Sequence, residues 1–195
     1  MDAAAKPSPP TAAVVIRDTV QWLERAVIGL NLCPFAKGVH AKGLIHYAVP
    51  PADDPAGVLA ALRSELAALD TLSAQQRDTT LLLLANCLQD FLDFNDFLGD
   101  AEALLEDMGL AGTLQIASFH PRYQFAGTAP DDMGNCSNRA PYPCLHLLRE
   151  ESLDRAVATF PEPQSIFERN IQVLEALGMP GWQALDVGPS PPGAR

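Results

Sequence analysis

The chain has 195 residues, 48% of them apolar and 19% charged, the balance of a protein that buries a core and not of a disordered one. Its net charge of −11 argues against a nucleic acid or an anionic membrane surface as the main partner. The longest strongly apolar run, 81–85, is too short to cross a bilayer, and four cysteines are too few for a disulfide scaffold.

The first 13 residues, MDAAAKPSPPTAA, read as a flexible arm. They lack the basic start and apolar centre of a secretory signal, so the cytoplasm is the expected compartment and Cys33, Cys87, Cys136 and Cys144 are expected to be reduced. Residues 15–30 predict an amphipathic helix, with Ile16, Val20, Leu23, Val27 and Leu30 on one stripe. Residues 44–49 predict a strand. Asp54 and Pro55 predict an N-cap and first turn of a helix reaching 69. Residues 79–86 read as a buried strand, 90–108 as a helix stopped by Gly109, and 113–119 as a third strand. A fourth strand is expected over 142–148, then helices over 151–160 and 165–177. The last of these opens on the capping box Ser165-x-x-Glu168.

This order favours an α/β or α+β fold, about four strands covered by helices, in a single domain over 14–180 with a loose tail over 181–195. One stretch breaks the pattern. Residues 120–141 show no element and three prolines, and loops this long in compact domains are usually functional or mobile.

Charge is uneven as well. Residues 119–149 hold Arg122, Arg139 and Arg149 against Asp131 and Asp132, a positive island in an acidic chain. A small anionic molecule is therefore the expected partner. Arg122 and Arg139 are candidate anion clamps, joined by Arg149, Tyr123, Asn138 and Lys37. Pairing of Arg122 with Asp131 or Asp132 is the structural alternative. The Gly134–Asn135 region has the composition of an anion-binding turn.

Three residues are candidates for catalysis. Cys33 precedes Pro34, which must end the first helix. If Pro34 also opens a new turn, Cys33 sits at its N-cap with Lys37 one turn on, and both favour the thiolate. The competing reading is a small apolar plug between helices. His120 follows the third strand, where an open sheet has its crevice, and is a candidate acid or base. His146 shares a strand face with Cys144.

Cys136, Cys144 and His146 have the atom types of a metal site, but C-x7-C-x-H matches no common zinc spacing. A Cys136–Cys144 disulfide would close the loop. Cys87 and His46 read as structural, His40 as solvated, and Asp90, Asp93, Asp96 and Asp100 as a solvated helix face with a cap. No phosphate loop, dinucleotide fingerprint, zincin or hydrolase elbow is present, so no cofactor is assigned.

Together, Asn31-Leu-Cys-Pro-Phe-Ala36, Phe119-His-Pro-Arg-Tyr-Gln-Phe125, Asn138-Arg-Ala-Pro-Tyr-Pro143 and His146-Leu-Leu-Arg-Glu150 resemble the DUF1415 family of bacterial and plant proteins. The resemblance runs from about Asp18 to Leu177. It implies a stand-alone domain of the cell interior and brings no activity with it. The expectation is a small thiol enzyme acting on an anionic metabolite. The alternatives are an anion-binding sensor, a metal-binding protein using Cys136, Cys144 and His146, or a docking surface.

Overall fold

Leu81 and Leu83 alternate with Leu82 and Leu84, and all four are buried, so this run is covered on both faces. In the computed structural model, which describes residues 9–158 and 164–191, the elements follow in this order. They are α1 (Ala12–Trp22), a π-helical turn (Leu23–Ile28), α2 (Ala36–Ala41), β1 (Ile45–Ala48), α3 (Pro55–Thr71), β2 (Thr79–Leu83) and α4 (Phe91–Asp107). Then come β3 (Leu114–Phe119), a 3-10 turn (Met133–Asn138), β4 (Cys144–Arg149), α5 (Glu150–Ala158) and α6 (Gln164–Ala184).

The four strands form one mixed sheet in the order β1-β2-β4-β3. β1 is parallel to β2, and β4 is antiparallel to both β2 and β3. β1, β2 and β3 therefore point the same way. The loops leaving them gather at one end of the sheet, where β4 begins. One face carries Leu82, Leu84, Leu145, Leu147 and Leu114 against Val58, Leu62, Leu66 and Leu69 of α3 and Phe94, Phe97, Ala101 and Leu105 of α4. The opposite face carries Leu81, Leu83 and Cys144 against Val15 of α1 and Tyr142. The result is a four-stranded α+β fold with helices on both sides of the sheet.

The expected starts of α3 and α4 hold at the level of single atoms. Asp54 accepts from the Gly57 N–H at 2.7 Å ahead of Pro55, and Asp90 accepts from the Leu92 N–H at 2.9 Å. The first helix departs from expectation. It begins at Ala12, capped by Thr11, inside the stretch expected to be a loose arm. It then widens, so that the Gly29 N–H bonds Glu24 O, five residues back, at 3.0 Å. A Cβ on Gly29 would stand 2.2 Å from the Arg25 carbonyl oxygen, so the wide turn needs glycine here. Asn31 ends the helix in the left-handed region, φ 54, while the Leu32 N–H reaches Val27 O at 2.8 Å.

The C-terminal end also differs. α6 breaks at Gly178, φ 64, where the sequence stops it, but resumes at Pro180 and runs to Ala184. Residues from 181 were expected to be a loose tail, yet Val187 is 6% exposed and Ser190 bonds the carboxylate of Asp18. The physical reason is that Asp18 is buried on the apolar stripe of α1, where the 3.3 Å contact from Arg17 leaves its carboxylate in need of further donors. α5 begins one residue early, and the last two positions expected for it lie outside the described residues. Among the described residues no helix is long and apolar enough to cross a membrane.

Candidate functional site

The long loop is organised by Asn135, which is fully buried. Its Oδ1 accepts from the Phe125 N–H at 3.0 Å and its Nδ2 donates to Ala129 O at 2.8 Å. Arg139 fastens the same loop. Nε donates to Tyr123 O at 3.2 Å and Nη2 to Pro130 O at 2.5 Å. Asn138 donates to Ser118 O at 3.1 Å. A guanidinium saturates whichever acceptors are near. Arg139 and Asn138 thus hold backbone carbonyls of this loop and of β3.

Arg149 stands at the opposite end of β4, paired with Leu114. Nη2 donates to the carbonyls of Leu69, Leu72 and Arg77, the last at 3.1 Å, tying β4 to the end of α3. Arg122 is 64% exposed and pairs with Asp90 at 3.0 Å, not with Asp131 or Asp132. The three arginines therefore do not converge.

His120 is fully buried beneath Arg122, its ring 5.2 Å from Phe94 and 5.4 Å from Phe91. Nδ1 accepts from the Arg122 N–H at 3.0 Å, so the proton of the neutral ring lies on Nε2. Nε2 has no hydrogen-bond partner among the described residues. The backbone of Leu88 and Gln89 faces it without bonding geometry. Burial, then Arg122, hold His120 below the ordinary histidine range, against the pull of Leu88, Gln89 and Asp90. Leu88 itself is left-handed, φ 56, a cost of about 1 kcal/mol for a bulky residue. Gln89 holds that turn by donating to Leu84 O at 2.7 Å and Cys87 O at 3.0 Å. Tyr123 stacks beside Phe91 and Phe125 at 5.4 and 5.0 Å.

His146 lies on the same face of β4 as Cys144, as alternation requires. The Thr79 hydroxyl is 2.6 Å from Leu147 O and 2.7 Å from His146 Nε2. A carbonyl only accepts, so Thr79 donates to Leu147 and His146 donates to Thr79 through Nε2. Burial pushes His146 down to about 4. Cys144 and Cys136 are buried in different clusters and their thiols are pushed up by burial. Both are free thiols, which corrects the disulfide reading. Among the described residues no three His, Cys, Asp or Glu side chains gather to hold a metal ion, so Cys136, Cys144 and His146 do not form the alternative metal site.

Cys33 is half-buried. Its carbonyl accepts from the Ala36 N–H at 3.3 Å, and α2 begins only at Ala36 with Phe35 as its cap. Cys33 therefore precedes the helix and does not cap it. Pro34 closes a turn there instead of serving as the first helical residue. Lys37 is exposed on the first turn of α2. Leu32 packs with Cys136 of the 3-10 turn and Leu174 of α6. Asn170 donates to Leu32 O at 2.8 Å, and Arg169 to Asn31 O at 2.9 Å. The thiol turn and the long loop thus share one place in the fold, bridged by α6. Cys33 itself packs beside Phe119 and Trp182 against the cluster of Trp22, Leu23, Ala26, Val27, Ala140 and Val187.

Two other groups were not singled out by the sequence. Asp18, 5% exposed, accepts from Tyr142 Oη at 2.8 Å and from Ser190 N and Oγ, both at 2.7 Å. Burial raises its pKa, but Ser190, Tyr142 and Arg17 outweigh that and hold the carboxyl below its ordinary range. The detectable signal was an acid standing four residues from both Val14 and Trp22. His46, 3.6 Å from Glu65, lines a groove of about 280 Å³ between β1 and α3, with Arg77 on the same carboxylate at 2.8 Å. His40, expected to be solvated, is half-buried and meets Glu24 at 3.1 Å.

No curated protein and no solved structure matches the chain. The family described as "Protein of unknown function (DUF1415)" matches residues 14–184, the span that holds the sheet, the thiol turn and the long loop. The chain belongs to the DUF1415 family.

Proposed function

We propose that the protein is a small enzyme of the cytoplasm whose working group is the Cys33 thiol and whose substrate is a small anionic molecule. The observation that carries this reading is access. Cys87, Cys136 and Cys144 are buried and held protonated by burial, whereas Cys33 is half-buried on a tight turn. Only an accessible sulfur can meet a substrate. Lys37, exposed on α2, and Arg169, bonded to Asn31 O, bring positive charge to the same turn. The fully buried His120 and the half-buried His146, both held below the ordinary histidine range, support a part in fixing the sheet end and the loop, not in carrying protons at neutral pH. Four free thiols fit a reducing compartment.

The test is site-resolved iodoacetamide labelling by mass spectrometry, with and without inorganic phosphate or malonate. The expected result is labelling of Cys33 well ahead of the other three thiols, slowed by the anions. Labelling of Cys33 no faster than a free thiol, with no protection by either anion, overturns the reading.

A further inference from the structure

The C-terminal segment lies over the cluster that holds Cys33. Trp182, Leu185 and Val187 pack on the same side chains as Cys33 and Phe119. What fastens this segment is of another kind. Arg17, Asp18 and Gln21 of α1, and Arg25 of the π turn that follows it, hold it through side-chain hydrogen bonds. Arg25 donates to Leu185 O at 3.0 Å, Gln21 to Asp186 O, and Arg17 to Ser190 Oγ at 2.8 Å. Asp18 takes both the N–H and the hydroxyl of Ser190 at 2.7 Å. Apart from Asp18, these contacts are exposed, and Val187 is the one apolar residue of 185–190 that is buried. Left-handed backbone stands just ahead of the covering segment at Gly178 (φ 64) and within it at Asp186 (φ 52).

A segment with few buried apolar contacts and mostly exposed hydrogen bonds opens at far lower free energy than the core beneath it. We propose that residues 182–190 form a strap over Cys33, latched by Asp18 on Ser190, and that lifting the strap opens the thiol and the aromatic floor of Trp22 and Phe119 to substrate. The inference rests on the thiol reading for its purpose and on the contacts of α1 for its mechanism. Tyr142 keeps one donor on Asp18 when the strap lifts, and water replaces the other two.

The test uses the full chain and iodoacetamide. Ser190→Pro removes both donors to Asp18, and Ser190→Ala removes only the hydroxyl. Cys33 labelling is expected to rise at least tenfold in the first and by a smaller factor in the second, with Cys136 and Cys144 as slow as before. A Cys33 rate unchanged in both variants overturns the strap. Parallel acceleration of Cys136 and Cys144 in Ser190→Pro marks general unfolding. Hydrogen exchange of the unsubstituted protein then decides: the Ser190 and Leu185 amides exchange ahead of the β2 amides if the strap opens alone, and with them if it does not. The two readings fail separately. A strap that opens while Cys33→Ser keeps full activity removes the thiol chemistry and leaves the strap. An inert strap leaves the thiol chemistry standing.

Discussion

The two faces of the sheet are built on different physics. Toward α3 and α4 the buried side chains form one continuous apolar cluster, interrupted at Thr80, whose hydroxyl has no partner among the described residues. Toward α1 the packing divides into smaller clusters, with Asp18, Thr19, Thr79, Tyr142 and His146 set among them. The first face is stabilised by area removed from water, a non-directional term. The second depends on hydrogen bonds, which hold only while their geometry holds. A π turn, a thiol turn and the strap all lie on that second side. The difference teaches that this fold keeps its rigidity on one face of the sheet and its adjustable parts on the other.

The sharpest way to break that contrast is Phe94→Ala. Phe94 is fully buried between the sheet and the ring of His120. Its removal is expected to cost about 3–5 kcal/mol in urea unfolding. The same protein, below its unfolding midpoint, is expected to label at Cys33 at the unsubstituted rate. A loss under about 1 kcal/mol means that this side has room to collapse and is not the rigid one. A changed Cys33 rate means that the two faces are mechanically one.

The rigid face was also the legible one. Val58, Leu62, Leu66 and Leu69 recur at helical spacing, Asp54-Pro55 marks a start, and β2 is an unbroken apolar run. Such patterns arise within one element and need no partner to be read. The other side was legible only in outline. Loop length and the Cys33-Pro34 break marked where the periodic pattern stops, but the atoms that organise this side pair across the chain. Asn135 bonds residue 125, Asn170 bonds residue 32, and Asp18 bonds residue 190. Periodicity carries no trace of such pairs. The backbone contacts of the arginines were illegible for a related reason, since a local surplus of positive charge says nothing about which acceptors a folded backbone offers. Gly188 and Pro189 suggested looseness, and Arg17 and Asp18, 173 and 172 positions away, make Ser190 stay.

Arg149 separates charge from structure on the rigid face. It was expected to bind an anion and instead donates to three carbonyls at the end of α3. Arg149→Ala is expected to cost about 2–3 kcal/mol, because hydrogen bonds to a charged donor are worth more than neutral ones. Arg149→Lys is expected to recover less than half of that, since an ammonium lacks the planar fork. Phosphate protection of Cys33 should be the same in both variants and in the parent. Weakened protection, with stability intact, restores Arg149 to the anion site.

The polar face has a pH signature of its own, and its sign follows from His146. Burial holds this histidine near 4 in the fold, against an ordinary value of 6.5. Above 6.5 the ring is neutral folded and unfolded, and it adds no pH dependence. As pH falls from 6.5 toward 4 the unfolded chain takes up the proton and the folded one does not, so stability drops through that window and levels off below it. The full shift corresponds to about 3 kcal/mol, and residual solvent access brings the expected loss to on the order of 2 kcal/mol. His46 and His120 are pulled in the same direction and are present in both proteins compared, so the difference between the parent and His146→Gln isolates one group. The variant keeps a donor for Thr79 and is expected to lose the extra slope between pH 6.5 and 4. A parent and variant whose stabilities fall in parallel over that window mean that His146 is protonated in the fold. Water then reaches the polar face as far as β4, and the contrast between the two faces narrows to the strap and the thiol turn.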